Sequence, residues 1–283
     1  MTTAKSIIKK INFLSDGFKL KGYLHLPAAK RPPVVIGCHG LYSSSNSPKQ
    51  IALADQCNRL GIAYFRFDHR GCGSSEGKFE KVTSLEARCR DLANAVAVIA
   101  GRSDTADRLG LFGSSMGGAV CLAAAKAVGT DALVTVAAPI RSRSVRPFDG
   151  GGLGESDVTG LQLHFDLSET ISGLRHILVF HGDADRVVPF AHALEIIEKA
   201  DAPKRLIRQK NGDHLMSAEI HQKTFLREAV KSGKHIFLEK PMATTPSELD
   251  RITREADKHR QLVAMDCSCR HARLQPKFVF LKK

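Results

Sequence analysis

Five short apolar runs, each without polar alternation and separated by helix-like stretches, limit this chain to a few architectures. Residues 34–38, 63–67, 109–113, 133–137 and 176–180 are rich in β-formers and lack the period-2 pattern of a strand with one wet face, so they read as strands buried on both sides. Helical patterns at residues 51–60, 85–100, 116–128 and 191–199 intervene or follow, and residues 204–209 offer one more strand. Parallel strands need crossovers, and crossover helices cover both faces, so the expectation is an α/β fold: a mainly parallel central sheet flanked by helices. Ahead of it, residues 11–27 alternate apolar and polar around Asp16-Gly17, a hairpin signal that makes the first two strands antiparallel. Ligands of such sheets sit at the carboxyl ends of the strands.

The 283 residues, 43% apolar, suffice for a real core. The amino-terminal charges lead into no apolar h-region, and no run approaches the ~20 residues of a spanning helix, so neither export nor membrane insertion is expected and the chain reads as cytoplasmic. Seven cysteines, odd in number and scattered, suit reduced thiols. Cys267, Cys269 and His271 lack zinc-site spacing, and no metal is expected. The net charge of +13 is spread out, with no aromatic-studded basic stripe, which argues against a nucleic-acid partner. From Leu226 onward, 13 Lys and Arg stand against 7 Asp and Glu, and this marks the tail as compositionally distinct.

Candidate chemistry collects at the strand ends. Gly113-Ser114-Ser115-Met116-Gly117 is a G-x-S-x-G motif between a strand-like run and an Ala-rich helical one, which makes Ser115 a candidate nucleophile on a sharp turn. A hydroxyl needs a base to take its proton. The chain then offers Asp183 and Asp185 in HGDADRVVP (residues 181–189), and His214 after Gly212-Asp213. Singly, a loop Asp makes turns and a loop His is solvated; the order Ser, Asp, His at successive strand ends is that of an α/β-hydrolase triad. The strand end Gly37-Cys38-His39-Gly40-Leu41 turns its amides toward the site, and the backbone N–H groups of Leu41 and Met116 are assigned as the oxyanion hole. His39 is expected to brace this loop rather than to move protons. Residues 67–77, FDHRGCGSSEG, evoke a dinucleotide fingerprint, but Glu76 stands where the third glycine belongs; a tight structural loop is the better reading.

On the motifs HGL, FDHRGCGSSEG, GSSMGG, HGDADRVVP and GDH, residues of about 11–230 resemble the α/β-hydrolase superfamily, and FDHRGCGSSEGKFE is particularly similar to bacterial feruloyl and cinnamoyl esterases. The resemblance implies Asp185 rather than Asp183 as the acid, carboxylic ester hydrolysis through an acyl-enzyme, and no metal or organic cofactor. The expected partner is a small-molecule ester, short-chain or aromatic. Acylglycerol lipase, amidase and perhydrolase chemistry use the same residues and stay open. Residues 141–175 break the β/α alternation, are rich in Arg, Ser and Gly, and are read as a short, mobile cap, with simple disorder as the alternative.

The tail has another likeness. AVKSGKHIFLEKPMA (residues 229–243) and the amphipathic stretch after it resemble the Gfo/Idh/MocA oxidoreductases, in which the lysine of EKP, here Lys240, lies near the nicotinamide. The chain has no G-x-G-x-x-G opening a βαβ unit and no substrate domain, so no NAD binding is expected. The division reads as a hydrolase domain over residues 1–231 and an appended, partial Rossmann-like β-α-β fragment over 232–283. Residues 217–232 serve as a helix common to both. Open strand edges on such a fragment suggest docking on the hydrolase, homo-oligomer formation or partial disorder. A role set by the fragment, in assembly or related to oxidoreductases, is the alternative from another class.

Overall fold

In the computed structural model the chain divides at His221 into two units. The described residues are 7–146 and 163–217, all in the first unit. Eight strands form one sheet in the order β1-β2-β4-β3-β5-β6-β7-β8. They are β1 (Ile7–Ser15), β2 (Phe18–Leu26), β3 (Val34–Cys38), β4 (Ala63–Phe67), β5 (Leu109–Ser114), β6 (Ala132–Val136), β7 (Ile177–Gly182) and β8 (Lys204–Gln209). β1 pairs antiparallel with β2, and β2 with β4; every later pairing is parallel.

The hairpin forms where expected. Ser15 faces Phe18 across a two-residue turn in which Asp16 and Gly17 have φ of 48° and 84°, the positive-φ pair whose twist suits adjoining strands. The uniform apolar runs are the central strands: all five β4 residues are buried, and Ile36, Phe65, Phe67 and Val179 are fully enclosed. Crossovers run through α1 (Pro48–Arg59), α3 (Leu85–Ala100), α4 (Met116–Val128) and α5 (Ala191–Lys199), with a single-turn α2 (Phe79–Val82) before α3. α1 begins earlier than its apolar pattern suggests. Ser47 Oγ accepts from the Gln50 N–H (3.5 Å) and Pro48 opens the first turn. Ser84 caps α3 likewise, accepting from the Ala87 N–H at 3.1 Å, and Gly129 closes α4 in the left-handed region at φ 66°.

The cap assignment needs correcting at its carboxyl side. Leu167, Ile171 and Leu174 are buried in the main core, and the Leu167 N–H donates to Ile140 O at 2.8 Å, so residues 163–175 belong to the body of the fold. Residues 147–162 of the expected cap, Lys240, Cys267, Cys269, His271 and the whole expected fragment lie outside the described residues. Among the described residues the five cysteines are all free thiols, no His/Cys/Asp/Glu group could hold a metal ion, and no helix is long and apolar enough to cross a membrane.

Candidate active site

Ser115 sits between β5 and α4 with φ 52° and ψ −123°, a conformation that an L-residue adopts only under strain of about 1–3 kcal/mol. Tight packing holds it there. A Cβ on Gly113 would stand 2.3 Å from Gly117 O, and one on Gly117 would stand 2.1 Å from Cys38 O, so only glycines let β5, α4 and β3 converge behind the serine. The Ser115 N–H donates to Val136 O (2.8 Å), which anchors the turn to β6.

Two loops bring the other groups over it. The loop after β7 and the loop after β8 touch through backbone: Asp183 N–H donates to Gln209 O and Ala184 N–H to Gly212 O, each at 3.0 Å. A side chain on Gly182 would collide with Gly212, so this close approach requires glycine. The result is one chain of hydrogen bonds: His214 Nε2 lies 3.0 Å from Ser115 Oγ, and His214 Nδ1 lies 2.8 Å from Asp185 Oδ2. With Nδ1–H donating to the carboxylate, Nε2 is left to accept the serine proton. Asp185 Oδ1 accepts from the N–H groups of Val187 (2.9 Å) and Val188 (2.8 Å). Burial pushes its pKa up, but hydrogen bonds from His181 and His214 outweigh that and hold it well below the usual carboxylate range.

The two candidate acids separate cleanly. Asp183 is engaged by Arg208 Nε (2.8 Å) and the Asn211 N–H (2.5 Å), a turn-making role, while Asp185 faces the imidazole. His181, absent from the sequence reading as a participant, is fully buried; its Nε2–H donates to Val188 O at 2.9 Å and lies 3.3 Å from Asp185 Oδ2. Its signal was present, since it opens the same HGDAD stretch as the acid.

The candidate oxyanion donors flank the serine. Met116 is the first residue of α4, where an N–H has no partner within the helix. Gly40, whose peptide carries the Leu41 N–H, runs so close that a Cβ there would be 3.8 Å from Ser115 Cβ. His39 is buried and braces this loop: Nδ1–H donates to Gly40 O (2.8 Å) and Nε2 accepts from the His69 N–H (3.2 Å). Burial, with the nearby His69 and Arg88, depresses its pKa well below that of an ordinary histidine. Residues 67–77 form the expected tight loop. Asp68 accepts from the N–H groups of Ser45 (2.6 Å) and Ser74 (2.9 Å), and a side chain on Gly73 would strike its carboxylate.

This sheet order and strand-to-helix turn are those of the α/β-hydrolase fold, and residues 29–153 match the family described as Serine aminopeptidase, S33. That match supports a hydrolase function for this part of the chain. It is 29% identical over 222 residues to the uncharacterized protein YfhR of Escherichia coli O157:H7, covering 71% of this chain and 70% of that protein. It is 27% identical over 221 residues to the mouse mitochondrial palmitoyl-protein thioesterase ABHD10, covering 68% and 72%. In fold it is similar to Est1E from Butyrivibrio proteoclasticus, solved with ferulic acid bound, at a TM-score of 0.64, 21% identity and coverage of 78% and 96%.

A second family, described as Oxidoreductase family, NAD-binding Rossmann fold, matches residues 162–267. That range begins well before the expected fragment. Its described part contains β7, α5 and β8, a parallel β-α-β unit of the hydrolase sheet, and such a unit is common to both kinds of fold.

Proposed function

We propose that this protein is a serine carboxylesterase acting through an acyl-enzyme on Ser115. The observation that carries the reading is the continuous contact from Ser115 Oγ to His214 Nε2 (3.0 Å) and from His214 Nδ1 to Asp185 Oδ2 (2.8 Å). His214 takes the serine proton as Oγ attacks the ester carbonyl, and the Leu41 and Met116 N–H groups receive the developing oxyanion. The imidazolium then protonates the leaving alkoxide. In the second half His214 activates water, which attacks the acyl-enzyme and releases the acid. Asp185 stays ionised throughout and holds the imidazole in the one tautomer that serves these steps.

Short-chain or aromatic, cinnamoyl-type acyl groups are the proposed substrates. The likeness to the Est1E fold supports this, and so does apolar surface beside the site: Tyr42 and Leu215, 50% and 57% exposed, adjoin Leu41 and His214. A thioester is the second reading, favoured by the relative named as a palmitoyl-protein thioesterase. Comparing kcat/KM for acetate, longer acyl and hydroxycinnamate esters with the matching acyl thioesters tests both. Oxygen esters should lead; a thioester preference of tenfold or more replaces the first reading by the second. Within the same proposal the 232–283 segment binds no dinucleotide. Saturable micromolar NADH binding in a calorimeter, lost on Lys240→Ala, contradicts that part.

A further inference from the structure

Arg88 has no exposed surface at all, and among the described residues no carboxylate stands within ion-pair distance of its guanidinium. An unpaired buried cation is costly, so its acceptors say what holds it in place. Nε donates to Thr83 Oγ1 (3.0 Å), and Nη2 donates to Leu41 O (3.0 Å) and Cys72 Sγ (3.3 Å). Nη1 reaches Gly40 O at 3.5 Å, where the His39 Nδ1–H also donates at 2.8 Å. Two successive carbonyls of the candidate oxyanion loop are therefore drawn toward one buried cation.

We propose that Arg88 is a positioning residue that aims the oxyanion hole. The Gly40–Leu41 peptide is trans, and in a trans peptide C=O and N–H point opposite ways. With Gly40 O held toward the guanidinium, the Leu41 N–H points the opposite way, in a loop that runs so near the half-buried Ser115 that a Cβ on Gly40 would stand 3.8 Å from Ser115 Cβ. The planar fork of arginine holds both carbonyls at once, which the point charge of a lysine cannot do. The cation also polarises the peptide from behind: guanidinium to carbonyl, then amide to oxyanion, so each bond strengthens the next as negative charge develops. The inference rests on the serine-esterase reading above and extends it to a residue that touches no substrate.

The experiment compares Arg88→Lys and Arg88→Met with the parent enzyme on p-nitrophenyl acetate, and measures inhibition by a trifluoromethyl ketone, which forms a tetrahedral adduct on serine. Loss of a whole oxyanion donor costs roughly 10²–10³-fold in kcat, and a misaimed one should cost about 10- to 100-fold. The expected result is that loss in kcat, KM within about threefold, and a fall in ketone affinity in proportion to kcat, with Arg88→Lys recovering only part. A folded Arg88 variant with kcat within twofold of the parent, or one whose ketone affinity is unchanged, overturns the proposal. Should neither variant fold, Thr83→Val removes the oxygen acceptor of the guanidinium's two side-chain anchors, Thr83 and Cys72; a kcat loss of about threefold or more supports the proposal and a smaller change overturns it. Ser115→Ala keeps the two readings apart. If that variant retains turnover, the esterase reading itself falls and the Arg88 proposal with it; if it is inactive, the Arg88 result stands on its own.

Discussion

Two polar assemblies stand near the strand ends, and they are wired differently. The Ser115–His214–Asp185 chain is serial: the serine hydroxyl and the imidazole meet at one contact of 3.0 Å, and the imidazole and the acid at one of 2.8 Å. The assembly around Asp91 is parallel. Its carboxylate accepts from the Arg70 N–H (3.0 Å), Nε (2.9 Å) and Nη2 (2.7 Å), with His69 Nδ1 at 3.4 Å, while Arg70 also reaches Ser15 and Asp16. Redundant bonding suits a scaffold, since no single loss frees the loop. A serial chain suits proton transfer, in which each proton needs one defined donor and acceptor.

The largest expected effect breaks the serial side. Asp185→Asn leaves the shape nearly unchanged but removes the charge that orients His214 and favours its protonated form; kcat should fall about 10²–10⁴-fold. Thermal unfolding should show a much smaller relative change, because Val187 and Val188 can still donate to the remaining oxygen. A fully active Asp185→Asn protein would collapse the distinction.

On the parallel side, Asp91→Asn leaves the nearly buried Arg70 guanidinium without its main countercharge, and breaking such a buried pair costs about 3–5 kcal/mol of stability. Denaturant titration should read that loss directly. A stability change below about 1 kcal/mol would mean that the redundancy absorbs even a charge deletion.

Acid titration sharpens the contrast further. His25 Nε2 accepts from Arg66 Nε at 2.9 Å, and burial first, then Arg66, lowers its pKa to about 4. Above about pH 6.5 both folded and unfolded forms are neutral. Between 6.5 and 4 the unfolded chain binds a proton that the folded one excludes, so stability falls as pH falls through that window. Asp91 and Asp185 have depressed pKa values, with burial opposed by hydrogen bonds from His69 and Arg70 or from His181 and His214; their stabilisation is full above about pH 4 and is lost below it. His25→Asn should therefore flatten only the upper part of a melting-temperature profile. The smallest effect is expected at Gly17→Ala, where the added methyl meets nothing within 4 Å but φ is 84°: about 1 kcal/mol, from backbone strain alone, in the same melts.

What could be read in the sequence follows the same division. The central strands were legible because a strand buried on both faces needs an unbroken apolar run, and the hairpin because Asp16-Gly17 has few other uses. The serial site was legible because each member sits just past a strand end in a short motif. Distance along the chain hid nothing there. The scaffold was less legible, since its partners come from separate segments and each is an ordinary surface residue type. Arg88 is the instructive omission: it falls on the stripe of Leu85, Leu92, Ala95 and Ile99, all buried, and a cation on the apolar face of α3 was the available signal. Residues 163–175 read as cap because the Arg, Ser and Gly of residues 141–160 set the character of the whole 141–175 stretch, and this masked Leu167, Ile171 and Leu174, three apolar residues at spacings of four and three. The four-residue α2 is too short to show a period.

The central claim is that His214 activates Ser115, and covalent labelling tests it most directly. Incubation with a fluorophosphonate followed by peptide mass spectrometry should place a single adduct on Ser115, formed at a rate that falls at least about a hundredfold in His214→Ala. An adduct on another residue, or labelling of Ser115 at an equal rate in the His214 variant, would contradict the account.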